Sequence, residues 1–139
     1  MKEKIRNEDV EKSLRKSLKT EGYTMSKPKK HGETGVDILA KKNGEVFHIE
    51  VIGYSFSPSK RARDFYEVFF RAISRLNDNA IHLIIALPEQ FKRGLSQRIK
   101  QHEVGWKRIG NAFPELEIWF VDIKNNTYKK MRWRERLER

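Results

Sequence analysis

Residues 35–53 read Gly-Val-Asp-Ile-Leu-Ala-Lys-Lys-Asn-Gly-Glu-Val-Phe-His-Ile-Glu-Val-Ile-Gly, and this stretch decides the fold. Two apolar runs flank its Asn-Gly dipeptide. Because both residues tolerate the positive φ of a type I′ turn, Asn-Gly is the strongest short-range signal of a β-hairpin. With Asn43 and Gly44 as the loop, Lys42 faces Glu45, and the numbers of every cross-strand pair sum to 87.

This register places Asp37 directly opposite Glu50. Opposed residues share a face with their Cβ atoms about 5 Å apart, so two like charges there destabilise a hairpin. A divalent cation between them reverses the effect, because hard cations bind carboxylate oxygens. The alternative is a pair of solvated acids, or acids paired with Lys or Arg from the helices. The other face is uniformly apolar and is predicted to be core: Val36, Ile38, Ala40, Phe47, Ile49 and Val51.

The net charge of +11 and the pI of about 9.9 make a polyanion the first partner to consider. Nucleic acid is favoured over a membrane surface; charge that serves only solubility is the alternative. The 139 residues predict a single domain over 1–139. The absence of cysteine excludes disulfides, thiolate metal sites and cysteine nucleophiles.

The charged N-terminus contains no apolar signal-peptide segment, and no apolar run approaches the ~20 residues of a membrane span. We therefore expect a cytoplasmic protein with no membrane partner.

Hydrophobic periodicity along the rest of the chain predicts an α/β protein with a mixed central sheet flanked by helices. The strand–helix–strand step after the hairpin implies a parallel crossover. Residues 127–133 fit a strand or the start of a basic helix. The predicted helices are 7–21, 61–76 and a stretch over 88–108 broken at Gly94, Gly105 and Gly110, and the predicted strands are 23–26, the hairpin 35–52, 81–87 and 116–123.

Gly-Val-Asp-Ile, a tight Asn-Gly turn and His-Ile-Glu-Val together resemble the metal-binding core of the PD-(D/E)xK, or restriction-endonuclease-like, nucleases. The preceding helix resembles the E-x-x-L-x-x-x-L-x-x-x-G-aromatic pattern of archaeal Holliday-junction resolvases in that superfamily, from Glu11 to Tyr23. The resemblance covers about residues 8–90. It implies an αβββαβ core within the mixed sheet.

The resemblance also implies a Mg²⁺ (or Mn²⁺) site and endonuclease-type cleavage of nucleic acid, DNA rather than RNA. Asp37 and Glu50 would be the carboxylate ligands and catalytic acids. The backbone carbonyl of Val51 would be a third ligand, and Glu11 would assist through water. Mg²⁺ keeps several waters, one of which can attack a phosphodiester.

The sequence departs from the family pattern at Ile52, which stands where the superfamily has a lysine two residues after the second acid. One explanation is that a basic residue elsewhere reaches the same point. Lys60 is then the candidate catalytic lysine, with His48 as another. The other explanation is a catalytically inactive module, or partner subunit, that binds without cutting.

Basic residues cluster on both sides of the acid pair and near the C-terminus, where a basic hairpin or tail is predicted at about 124–139. Such clusters suit a polyanion lying across the site. The wide apolar face of the 61–76 helix fits either a homodimer surface or a broad core contact. The predicted nucleic-acid-binding residues are Lys29, Lys30, His31, Lys60, Arg61, Arg63, Lys129, Lys130 and Arg132.

Overall fold

The structure is a computed structural model, and it describes residues 4–135. Four α-helices and six strands follow one another along this part of the chain, with a short 3₁₀-helix, Arg75–Asp78, extending the second helix. The elements are α1 (Asn7–Thr20), β1 (Thr24–Met25), β2 (Ile38–Lys42), β3 (Glu45–Val51), α2 (Pro58–Ser74), β4 (His82–Pro88), α3 (Phe91–Gln101), α4 (Glu103–Ala112), β5 (Leu116–Asp122) and β6 (Thr127–Arg132).

The hairpin forms in the predicted register. Asn43 and Gly44 have φ angles of 52° and 80°, as a type I′ turn requires. The β2–β3 ladder runs from Lys42 opposite Glu45 to Ile38 opposite Ile49. Asp37 therefore lies one step beyond the ladder, and its carboxylate accepts a hydrogen bond from the backbone N–H of Val51 at 2.9 Å.

The six strands form one sheet whose spatial order is the sequence order. β3, β4 and β5 are parallel, while β1–β2, β2–β3 and β5–β6 are antiparallel pairs. The predicted parallel crossover is present, with α2 joining β3 to β4. The predicted fold class, a mixed sheet flanked by helices with an αβββαβ core, is confirmed.

Two apolar layers cover the two faces of the sheet. On one face, α1 packs its stripe of Val10, Leu14 and Leu18 against β2, β3, β4 and β5. This is the hairpin face predicted to be core, and its residues within the ladder, together with Val51, are buried, whereas Val36 is only partly buried because it lies before the start of β2. On the other face, α2, α3 and α4 cover a second cluster that includes Ile52. The acid pair lies on this second face.

Element boundaries differ from the prediction at two places. Helix α2 begins at Pro58 rather than residue 61, because the Ser57 hydroxyl accepts a hydrogen bond from the Lys60 N–H and proline suits the first helical position. The helical stretch over 88–108 breaks at His102, and Gly94 and Gly105 lie inside α3 and α4.

Two structures were predicted for residues 127–133, a strand or the start of a basic helix, and the chain forms the strand. β6 pairs with β5 as an antiparallel hairpin, and residues 136–139 of the predicted basic tail lie outside the described residues. Trp133 fastens the end of this strand to α4. Its indole stacks on that of Trp106 at 3.8 Å between ring centroids, and each indole N–H donates to the other residue's carbonyl, at 2.6 and 2.9 Å.

Over residues 4–135, no helix combines the length and apolar character needed to cross a bilayer.

Candidate metal and nucleic-acid site

The two hairpin acids meet at the end of β3, where the chain leaves the sheet. Glu50 is 1% exposed, and the Asp37 side chain is 18% exposed. Asp37 is held by its hydrogen bond to the Val51 N–H. Its negative charge raises the pKa of Glu50, as expected for two close carboxylates. The hairpin register therefore brings the two predicted acids together.

Three cationic side chains lie on this acid pair. Lys29 Nζ is 3.0 Å from Asp37 Oδ1 and donates to the Gly35 carbonyl at 2.9 Å. Arg75 Nε lies 3.4 Å from Glu50 Oε2. This oxygen is buried and accepts no hydrogen bond from the described residues. Arg71 is the third cation. Arg71 and Arg75 are also paired with Glu67 and Asp78, so three cations and four acids form one charged cluster.

The guanidinium of Arg71 contacts the three oxygen groups that the family resemblance assigns as direct Mg²⁺ ligands. Its Nη2 lies 3.7 Å from Asp37 Oδ2 and 3.2 Å from the Val51 carbonyl oxygen, and its Nε lies 3.4 Å from Glu50 Oε1. Two carboxylates and a carbonyl therefore converge on one positively charged group. All are hard oxygen donors of the kind that Mg²⁺ and Mn²⁺ bind.

The pKa of Glu50 is raised from 4.5 to about 7. Burial of the carboxyl is the largest cause and the charge of Asp37 the second, and both outweigh the opposing effects of Arg71, Arg75 and Lys29. Near neutral pH, Glu50 therefore carries a proton about half of the time. Additional positive charge at this point would favour the ionised carboxylate.

We expect Glu50→Gln to stabilise the protein at pH 8 and to leave its stability unchanged near pH 4. Folding raises the pKa of the Glu50 carboxyl, so its protonated form stabilises the folded state. This stability is fully present at a pH below the pKa of the unfolded chain, and it is lost as the pH rises through about 7. Glutamine removes that loss, which is on the order of 3 kcal/mol for the wild type.

The measurement is urea unfolding of both proteins in EDTA between pH 4 and pH 8. His48, whose pKa is lowered by burial, has the opposite pH dependence, and its contribution cancels in the difference between the two proteins. A difference that does not change with pH contradicts the raised pKa.

Lys60 is not brought to the acid pair, contrary to the prediction. Its ammonium contacts both carboxylate oxygens of Asp64, at 3.1 and 3.0 Å. Because α2 begins earlier than predicted, Lys60 lies in its first turn, and Asp64 is its neighbour one turn later. His48 also shows no contact with the acids, and its Nδ1 is buried without a hydrogen bond from the described residues.

Glu11 is separated from the pair by an arginine. Arg15 Nε donates to Glu11 at 2.8 Å, and the same guanidinium donates to the backbone carbonyls of Ser26 and Asp37. Arg15 therefore bridges Glu11 to the backbone carbonyl of Asp37. Consistent with this, residues 4–135 contain no group of three or more His, Asp or Glu side chains able to hold a metal ion.

Ile52 is 3% exposed and belongs to the apolar cluster beneath α2, α3 and α4. The position that holds the family's lysine is therefore part of the core in this protein. Lys29, which comes from the loop before β2, supplies the ammonium beside Asp37 instead.

The predicted nucleic-acid-binding residues fall into separate places. Lys30 and His31 are exposed and line a shallow depression together with Lys29. Arg61 donates to the carbonyls of Ser55 and Phe56 and so fastens the loop before α2, whereas Arg63 is exposed.

The three basic residues predicted in the C-terminal hairpin lie on β6, the edge strand at the far side of the sheet from β1. Lys130 lies over the Trp119 ring, with its Nζ 4.7 Å from the ring centroid. Lys129 and Arg132 are exposed.

Arg71 and Arg75 are the site residues that sequence reasoning missed. The i,i+4 spacing of Glu67 and Arg71 predicts a pair on the outer side of the helix, and that contact is present at 3.4 Å. The available signal was the position of Arg71 next to Ala72, a residue of the buried stripe. A long side chain at the border of such a stripe reaches the end of the strand that precedes the crossover.

Two solved structures share this fold. One is a FdxN element excision controlling factor protein from Anabaena variabilis, 18% identical, with a TM-score of 0.63; the match covers 88% of this chain and 96% of that one. The other is an XisH family protein from Nostoc punctiforme, 15% identical, with a TM-score of 0.59 and coverage of 87% and 96%. No protein-family model and no curated protein sequence matches the chain.

Proposed function

We propose that the chain is a nucleic-acid-binding protein of the PD-(D/E)xK type that hydrolyses phosphodiester bonds in DNA with Mg²⁺ or Mn²⁺. One observation carries the proposal: Asp37, Glu50 and the Val51 carbonyl converge on a single positively charged group. One structural neighbour is named for controlling the excision of an element, which is compatible with this function. The net charge of +11 favours a polyanionic substrate.

The donor set fits a hard divalent cation. Asp37, Glu50 and the Val51 carbonyl would hold it, and the buried Glu50 Oε2 supplies an oxygen that accepts no hydrogen bond from the described residues. When bound, such a cation supplies Lewis-acid polarisation of the phosphate and a more acidic water. It cannot share these oxygens with the Arg71 guanidinium, so Arg71 must move away.

A displaced Arg71 needs a new partner for its charge. A divalent cation that takes the oxygens of Asp37 and Glu50 leaves the Arg71 guanidinium with Glu67 as its remaining acid. A phosphodiester brings negative charge and offers oxygens for the bidentate contacts that guanidinium groups form. We therefore propose that Arg71 transfers from the acids to the substrate phosphate, so that substrate and metal bind together.

Lys29 takes the role of the missing lysine in this proposal. Its ammonium is fixed by the Gly35 carbonyl and by Asp37 Oδ1, and its side chain is 32% exposed. From that position, Lys29 can hydrogen-bond the attacking water and stabilise the charge that develops on the phosphate.

The test is a titration with Mg²⁺ and Mn²⁺, read by thermal unfolding and by cleavage of branched, duplex and single-stranded DNA. We expect wild type to be stabilised by about 2.7 kcal/mol when the metal is about 100-fold above its Kd. Asp37→Asn should abolish both stabilisation and cleavage. Arg71→Gln should bind the metal more tightly than wild type in the absence of DNA, because the competing cation is gone.

Asp64→Asn is the matched control, since Asp64 is also an ion-paired acid but contacts only Lys60 among the ion pairs of residues 4–135. Metal stabilisation that persists in Asp37→Asn, or that Asp64→Asn removes equally, overturns the metal site.

A catalytically inactive nucleic-acid-binding module is the second candidate. The contact of Arg71 with all three oxygen groups favours it, because a guanidinium then satisfies the acids permanently. In that case wild type binds DNA without metal and cleaves none of the substrates. Arg71→Gln would gain metal binding without gaining cleavage.

A further inference from the structure

A cleft of about 800 Å³ lies between α1 and the β5–β6 turn. Residues that follow the carboxyl ends of β4 and β5 form part of its wall. Lysines from three segments of the chain surround it: Lys4, Lys12, Lys16 and Lys124. None of these four forms an ion pair within 4.0 Å over residues 4–135.

Ser13 lines the same cleft and lacks a hydrogen-bond partner among the described residues. The residue is 3% exposed, and its hydroxyl oxygen is buried. An unsatisfied buried hydroxyl costs about 1–3 kcal/mol. A ligand that accepts a hydrogen bond from this hydroxyl removes that cost.

The acidic side chains of the cleft do not form a cation site. Asp122 accepts hydrogen bonds from the N–H groups of Lys124 and Asn125 in its own turn, and Asp9 accepts one from the Arg6 N–H. Glu89 is the third acid of the lining. Residues 4–135 hold no cluster of His, Asp and Glu suited to a metal ion, and the four lysines of the lining outnumber its three acids.

Two other depressions adjoin the cleft, one further along α1 and one across it. A neighbouring cleft of about 650 Å³ shares Lys16 with it and adds Lys19. Lys12 also lines the depression that contains Lys29, the lysine on Asp37. From Lys12 to Lys19 the helix rises about 10 Å, at ~1.5 Å per residue. Lys12, Lys16 and Lys19 therefore form a row of positive charges along one side of α1.

We propose that this α1 cleft binds the phosphodiester backbone of a nucleic acid at a distance from the acid pair. Lys12, Lys16 and Lys124 contact phosphates, and the Ser13 hydroxyl donates to a phosphate oxygen. Because Lys12 borders both depressions, one strand can run from the acid pair over α1 into the cleft. The inference shares with the proposed function only its nucleic-acid partner, and it requires neither metal nor cleavage.

The test is binding of a fluorescein-labelled DNA duplex in EDTA, read by anisotropy over a range of salt concentrations. We expect the double variant Lys12→Gln/Lys16→Gln to bind roughly tenfold more weakly than wild type and to reduce the salt slope by about 0.9 for each phosphate that is no longer neutralised. The matched control is Lys107→Gln/Arg108→Gln, which removes the same charge from exposed positions on α4, on the other face of the sheet.

Ser13→Ala is an independent test, because it should change thermal stability and DNA binding in opposite directions. It should raise the melting temperature, because a buried unsatisfied hydroxyl is removed, and it should weaken DNA binding. A merely structural serine would not produce this combination.

The proposal is overturned if the α1 double variant and the α4 control bind the duplex equally weakly, or if wild type binds no duplex. It is also overturned if the α1 double variant weakens duplex binding without reducing the salt slope, since those lysines then neutralise no phosphate. None of these readouts involves metal, so they are separate from the test of the acid pair.

Discussion

Lys29→Gln is expected to slow Mg²⁺-dependent DNA cleavage by about 10²–10³-fold, the loss typical of removing one preorganised donor from a reaction centre. The Lys29 ammonium is 3.0 Å from Asp37 Oδ1 and is oriented by the Gly35 carbonyl. Glutamine keeps much of the length of the side chain but loses its charge. Removal of a cation next to the metal ligands should not weaken Mg²⁺ binding, so the loss falls on the cleavage step.

Lys30→Gln is the control for this experiment. Lys30 is the next residue in the same loop and lines the same depression, and its side chain forms no ion pair in the described part of the chain. Both variants lose one positive charge from the substrate path, so general attraction of DNA falls equally. Equal cleavage rates for the two variants would exclude a special role for Lys29. The comparison is made at saturating DNA and Mg²⁺ in single-turnover conditions.

Ile52→Lys, which restores the family's lysine in sequence, is expected to destabilise the protein by more than about 3 kcal/mol rather than to increase cleavage. Ile52 is 3% exposed and packs in the cluster under α2, α3 and α4. An ammonium there loses its hydration. The nearby acids are already contacted by three cations, so the added charge gains little from them.

Ile52→Met separates shape from charge, because volume-conserving apolar exchanges usually cost less than about 1.5 kcal/mol. Urea unfolding of the three proteins measures the difference, and the cleavage assay is run on the same samples. If Ile52→Lys is as stable as Ile52→Met and cleaves DNA faster than wild type, the lysine position is accessible to the site and Lys29 has not replaced it.

The sequence contained enough information for the fold because its strongest signals are local. An Asn-Gly turn fixes its own register, and that register aligns Asp37 with Glu50 without reference to the rest of the chain. The nearly continuous apolar run of β4 likewise identifies a strand covered on both faces. Boundaries were harder, because the capping of α2 by Ser57 depends on a loop conformation.

The cations of the site could not be predicted from spacing alone. Arg71 and Arg75 reach the acids only because α2 crosses the end of β3 at one particular rotation. The position of the Lys29 ammonium depends on the path of a polar loop, and a loop has no hydrophobic periodicity from which its path could be predicted. Lys60 was close to Glu50 in sequence, yet one additional helical turn directs it to Asp64.

The stacked pair of Trp106 and Trp133 provides an intrinsic spectroscopic probe of unfolding. Two indoles with centroids 3.8 Å apart, inclined at 11°, are close enough for their excited states to couple, which produces a couplet in far-ultraviolet circular dichroism. Trp119 belongs to the opposite apolar layer and stacks on Tyr128. Loss of the couplet during unfolding therefore reports the separation of the C-terminal strand from α4. The fluorescence of Trp119 reports the unfolding of the apolar layer beneath α1.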